Sequence, residues 1–181
     1  MKLNNFTERY AKHTFERSAI IEPVSFTEVR RSISPCLILM PSKLEKIKPA
    51  AEILPEIAAA LPNRNVKIVI SSSIDPQSHL LIRHFIVMRT EPGDYDTFSL
   101  PKKHFIDKIS YGGVSIVIDL DLTPNLFNAV LGLRSGGKVR TSFDKGIGLP
   151  YYNMIVGSGS PKSDPGGSYK IMADVIGNFR F

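Results

Sequence analysis

One cysteine, Cys36, stands in 181 residues. A single thiol excludes an internal disulfide framework and any cysteine-based zinc cluster, and it fits a reducing compartment. The four histidines, His13, His79, His84 and His104, lack the close spacing of metal ligands. His79 and His84 flank an expected helix-to-strand junction, so no metal site is expected. No apolar run approaches the ~20 residues that cross a bilayer. The N-terminal stretch "MKLNNFTERYAKHTFERS" is polar throughout and has no signal-peptide core. The chain therefore reads as soluble and cytoplasmic. "GSGSP" at 157–161 lacks the strand–turn–helix setting of a nucleophile elbow. "SDPGGS" has neither the Gly-x-Gly-x-x-Gly pattern nor a Walker lysine, and no cofactor is implied.

What the chain does have is a basic surplus. Lys and Arg number 23 against 17 acids, a net charge of +6, with a pI near 9.5. That surplus favours polyanionic company, whether nucleic acid, anionic lipid or a phosphorylated ligand. The bases are scattered with acids among them, so a basic solvated surface accounts for them equally. Phe105, Tyr111, Phe127 and Phe143 read as core rather than as a base-stacking platform, which argues against nucleic acid. A hydrophobic content of 43% with 22% charged residues is that of a globular domain.

The order of the pattern gives the fold class. Residues 5–18 carry weak helical spacing, and 26–33 read as a short helix with Ser25 as N-cap. "CLILM" at 36–40 is a continuous apolar run, the mark of a buried strand. A helix is expected to open at Pro49, with Ala50, Ile53, Leu54, Ile57, Ala58 and Leu61 on one face and a kink at Pro55. Further strands are expected at 66–70, 84–88, 115–120, 138–143 and 151–156. Helices are expected at 75–83, 101–110, 124–134 and 169–179, the stretch 157–168 being a loop by composition. Gly136-Gly137 reads as a helix C-cap and turn. Strands alternating with helices predict right-handed βαβ units and a mostly parallel, Rossmann-like sheet covered on both faces. The expected organisation is an N-terminal helical extension over 1–34 and a Rossmann-like domain over 35–181.

In such sheets ligands bind outside the carboxyl ends of the strands. Asp119 and Asp121 end the strand "SIVIDLD" and could accept a proton or hold a sugar hydroxyl. Equally, Asp119 could satisfy loop N–H groups and Asp121 turn to solvent, while Thr123-Pro124 offers an N-cap and first helical residue.

The stretch "VIDLDLTPNLFNAVLGLRSGGKVRTSFD" resembles glycosyltransferase family 9, the ADP-heptose–lipopolysaccharide heptosyltransferases. Those enzymes show an Asp-Leu strand end, a Leu- and Ala-rich helix, a small-residue turn, then Arg, a small residue and Phe on the next strand. "KPAAEILPEIAAALPNRNVKIVI" is similar to their first helix and second strand, and "LPYYNMIV" to their Tyr-Asn segment. The likeness spans about 36–180 and lies in the ordered series rather than in any one motif. It implies one half of a GT-B architecture, the acceptor-binding half, acting in lipopolysaccharide or related envelope biosynthesis.

Two departures accompany it. The family's Gly-Asp loop, whose Asp is taken as the base, corresponds to "PSKLEKIK" at 41–48, which has no Gly-Asp. Lys43 falls in the place of the Asp, and Glu45 is the one carboxylate left. The donor-binding half is expected to be missing beyond the last helix. The resemblance thus implies a degenerate or partner-dependent transferase. Glu45 or Asp119 would be its base, with Lys43, Asp121 and Arg140 contacting an anionic glycan or lipid-linked acceptor. Its expected companions are a chain supplying the donor half or a second copy, with peripheral contact at the inner membrane. The alternatives are a non-catalytic module that binds a full-length transferase or itself, and a small enzyme acting on a phosphorylated metabolite.

Overall fold

The computed structural model describes residues 5–16, 23–62, 65–74, 82–157 and 164–179. Six short strands, β1 (Cys36–Leu39), β2 (Val66–Ile70), β3 (Ile86–Arg89), β4 (Ile116–Asp119), β5 (Val139–Phe143) and β6 (Met154–Val156), pair in parallel in the order β3-β2-β1-β4-β5-β6. This is the doubly wound Rossmann order, with the switch of direction between β1 and β4. The chain thus has the expected Rossmann-like α/β fold, and the sheet is parallel throughout.

Side-chain alternation along the strands builds two cores, because successive residues point to opposite faces. Cys36, Ile38 and Met40, with Ile68, Ile70, Ile116 and Ile118, pack beneath α3 (Leu44–Ala60) and α6 (Pro165–Asn178). Leu37, Leu39, Val69 and Val117 pack beneath α4 (Lys103–Ser110) and α5 (Leu126–Arg134). Burial on both faces is why the strands read as unbroken apolar runs. A third cluster joins Leu126, Ala129 and Val130 of α5 to Leu100, Ile147, Tyr151 and Tyr152, and to Ala11 of α1 (Asn5–Ala11). A π-helical turn, Lys12–Glu16, continues α1, and α2 (Phe26–Arg31) is capped by Ser25 as expected. Among the described residues, no helix is long and apolar enough to cross a membrane.

Several boundaries differ from the sequence expectation. Helix α3 opens at Leu44, so Pro49 and Pro55 both lie inside it. Ile47 is fully buried and continues the stripe of Ala50, Ala51, Leu54 and Ile57 one turn toward the N-terminus. Tertiary burial of that stripe overrides the proline signal. The loop after β1 therefore shrinks to Met40–Lys43. Helix α6 opens at Pro165 rather than at 169, with the Asp164 carboxylate accepting from Gly167 N at 2.8 Å. Helix α5 is capped by Asn125 rather than Thr123, its side-chain oxygen accepting from Asn128 N. Tyr111, expected in the core, is 84% exposed. Of the helix expected at 75–83, residues 75–81 lie outside the described residues, and Ile82–His84 form a 3-10 turn.

Two glycines show why the α5–β5 turn needs them. Gly136 sits at φ +82°, a conformation that costs a side chain. A Cβ on Gly137 would stand 2.6 Å from a Val117 methyl, so the chain passes directly over β4.

Candidate functional site

Chain reversal at the β1/β4 switch opens a crevice at the carboxyl ends of the strands. It encloses about 910 Å³, within the range of small-ligand sites. Met40, Pro41, Ser42 and Lys43 line it after β1, Ile70 and Ser71 at the end of β2, and Thr90 after β3. Thr123, Pro124, Asn125 and the start of α5 form the β4 side, the 95–100 loop closes the front, and Thr7 of α1 reaches in from above.

The lining is rich in hydroxyls and amides, from Ser42, Ser71, Thr90, Thr97, Ser99, Thr123, Asn125 and Asn128. Tyr95, Phe98 and Phe127 give it aromatic surface. Among the described residues that line it, Lys43 carries the only charged side chain. Its exposed ammonium makes no hydrogen bond or ion pair among the described residues. As N-cap of α3, Lys43 makes no side-chain cap.

Beneath the crevice lies a buried polar centre. Asp119 is fully buried at the end of β4. One of its oxygens accepts from Asp121 N at 2.9 Å and from the Asn128 amide at 3.0 Å. The other accepts from Lys145 Nζ at 2.7 Å and from the Tyr152 hydroxyl. The Lys145 side chain is itself only 1% exposed. It donates further to the Asp121 carbonyl at 2.9 Å and lies over the Tyr152 ring at 5.4 Å. Burial, then the adjoining Asp119 charge, pushes the Tyr152 phenol well above its ordinary value, so it stays a donor.

Asp121 is 1% exposed. One oxygen accepts from Ser42 N at 3.1 Å, Ser42 Oγ at 2.8 Å and the Asn125 amide at 3.0 Å. The other accepts from Thr123 N at 3.0 Å and Thr123 Oγ1 at 2.8 Å. Burial alone would raise its carboxyl. The Asn125 amide, the Lys145 charge and the Thr123 bonds outweigh that and hold it below the usual carboxylate value.

These contacts decide the roles of the residues expected from sequence. Asp119 was expected as a base and Asp121 as an acceptor contact or a solvated charge. Every oxygen of both already accepts internal bonds, and neither reaches the crevice surface. A base must touch the proton it removes. In the fold, Asp119 ties β4 to α5 and to the 145–152 loop, and Asp121 ties the β4 end to the β1 loop. Glu45 lies exposed in the first turn of α3 and does not line the crevice.

Arg140, expected to meet an anion, instead donates to three backbone carbonyls: Tyr151 at 2.9 Å, Gly137 at 2.8 Å and Pro150 at 3.1 Å. It fastens the loop that contains the cis Leu149–Pro150 bond. Lys43 alone of the expected site residues faces the crevice. Lys145 and Tyr152 escaped the sequence reading as partners of Asp119. Only their occurrence on the loop after β5, beside a strand-end Asp, hinted at them.

Among the described residues no group of three or more His, Cys, Asp or Glu side chains is placed to hold a metal ion. The class that the fold defines is a Rossmann-like α/β domain, with a crevice at the carboxyl ends of its strands. Comparison with protein-family models, curated proteins and solved structures finds no match to this chain.

Proposed function

We propose that this chain binds a hydroxylated, negatively charged sugar ligand in the strand-end crevice. In this reading it is the acceptor-binding kind of domain that its resemblance to family 9 glycosyltransferases implies. The observation that carries the proposal is the lining itself: neutral hydroxyls and amides, three aromatic side chains, and one ammonium, that of Lys43, unpaired among the described residues. Ser42, Thr123, Asn125 and Asn128 spend side-chain donors on Asp119 and Asp121, so the lining meets a sugar with their remaining lone pairs and with Thr97 and Ser99, while aromatic faces match its C–H surfaces and Lys43 matches a phosphate or carboxylate. Among the described residues that line the crevice, none is a carboxylate or an imidazole. The domain then binds and orients an acceptor, while activation of its hydroxyl requires a base from a partner surface. This is the partner-dependent form of the transferase reading.

Titration calorimetry with sugar phosphates, set against the same sugars without phosphate, tests it. Saturable binding is expected for the phosphorylated sugars, weakened about three- to tenfold by Lys43→Ala, the loss of one charge-assisted contact. Transfer from ADP-heptose is expected only when a partner chain is added. Equal affinity of wild type and Lys43→Ala, or turnover by this chain alone, would overturn the proposal.

A further inference from the structure

The crevice has a wall that the Rossmann fold does not provide. Helix α1 lies on the residues that build the crevice front. The Tyr10 ring stacks on Phe98 at 4.3 Å between centroids, with 28° between planes. Ala11, 1% exposed, packs in the cluster of Leu100 and Leu126. Phe98, Leu100 and Leu126 all line the crevice as well. Thr7, four residues before Ala11 and on the same helix face, reaches the cavity directly. The same side chains thus form the seat of α1 and the boundary of the ligand space.

The seat is narrow. Glu8, Arg9 and Tyr10 are exposed, Tyr10 at 36%, and Ala11 is the one residue of α1 described as buried. With the π-helical turn that continues it, the helical stretch Asn5–Glu16 has 7 and 5 residues, at the lower edge of the about 12–15 that a helix stable alone in water needs. Docking therefore carries much of the stability of helix α1, and undocking favours its melting. Among the described side chains of this stretch, Ala11 is buried and Phe15 packs partly buried on the same cluster, and a segment held by few buried apolar contacts opens locally far below the free energy of global unfolding.

We propose that α1 is a strap that closes one side of the strand-end crevice through the Tyr10–Phe98 stack and the burial of Ala11, and that ligands enter and leave when it lifts. The inference takes the crevice as the ligand site, as above, and adds how access to it is governed. Thr7 makes the strap part of the binding wall when it is closed.

The test needs no ligand. Leu126 is 7% exposed and shared by crevice and seat, so Leu126→Cys places a thiol under the strap. Native Cys36 is fully buried and serves as the silent internal control. In Leu126→Cys, the new thiol is expected to react slowly with a disulfide reagent. Adding Tyr10→Ala is expected to speed that reaction at least tenfold, with Cys36 still unlabelled. An unchanged rate, or Cys36 reacting in step with the new thiol, overturns the strap.

Should Leu126→Cys fail to fold, hydrogen exchange on the unmodified chain answers the same question. The amides of Arg9–Ala11 are expected to exchange at least a hundredfold faster than those of β1 and β4, and Phe98→Ala to speed them further. Protection equal to the central strands overturns the proposal. A failed sugar titration leaves these results untouched, so the two readings fail separately.

Discussion

Lys145 is the residue on which the molecule's polar interior turns. Its ammonium, 1% exposed, meets an Asp119 carboxylate with no exposure at all. Both charges lost their hydration on folding, and the pair is tolerated because each finds further partners: the Asp121 carbonyl for one, Asn128 and Tyr152 for the other. Removing one partner leaves the other charge buried and unpaired. Lys145→Met is therefore expected to cost about 3–5 kcal/mol in urea unfolding. The double variant Lys145→Met with Asp119→Asn is expected to lose clearly less than the two singles added, since no unpaired charge remains. Strict additivity would show that the pair does not act as a unit.

At the same scale Cys36 is inert. Burial, opposed only by a weak contact to Ser115, pushes its thiol up to about 11. The thiol form dominates at neutral pH, and only the thiolate is nucleophilic.

At the scale of elements, much of the fold was legible. The apolar runs at 36–40 and 66–70 are β1 and β2 within a residue, because a strand covered on both faces needs an unbroken apolar sequence. Helix starts were less legible. Pro49 reads as an opening residue, yet α3 begins five residues earlier because Ile47 finds a buried place against the sheet. The start of α6 was hidden by composition. "SDPGGS" looks like loop, but Asp164 caps and Pro165 occupies the first position, the arrangement that starts helices. Asp164→Ala is expected to lower stability by about 1 kcal/mol, with circular dichroism showing loss at the N-terminal turn of α6. No change in the unfolding midpoint would mean that the helix starts beyond Gly167.

At the scale of the whole molecule, the Asp121 carboxylate links the sheet's two halves, joining the β4 end to the β1 loop across the switch point. Its folded value lies below its unfolded one, which is about 3.9. The stability it supplies is thus fully present above the unfolded value, and it is lost as pH falls through the folded one. Unfolding midpoints are expected to hold from neutral pH to about 4 and drop below it. Asp121→Asn is expected to be less stable at neutral pH and to flatten that acid slope. An unaltered slope in the variant would assign acid sensitivity to other carboxylates.

The amino-acid order alone determined the class of fold, since burial of both sheet faces and of one face per helix is written as apolar periodicity along the chain. It also marked Asp119 and Asp121 as lying at a strand end. What those carboxylates do was decided only in three dimensions. Their partners Ser42, Asn128, Lys145 and Tyr152 come from three separate stretches, and no local pattern says that a distant lysine will be buried beside them. The same holds for the crevice wall, where an N-terminal helix with little intrinsic stability is held by a ring about ninety residues away in sequence. Periodicity is a local property, whereas charge neutralisation and wall closure depend on which surfaces meet.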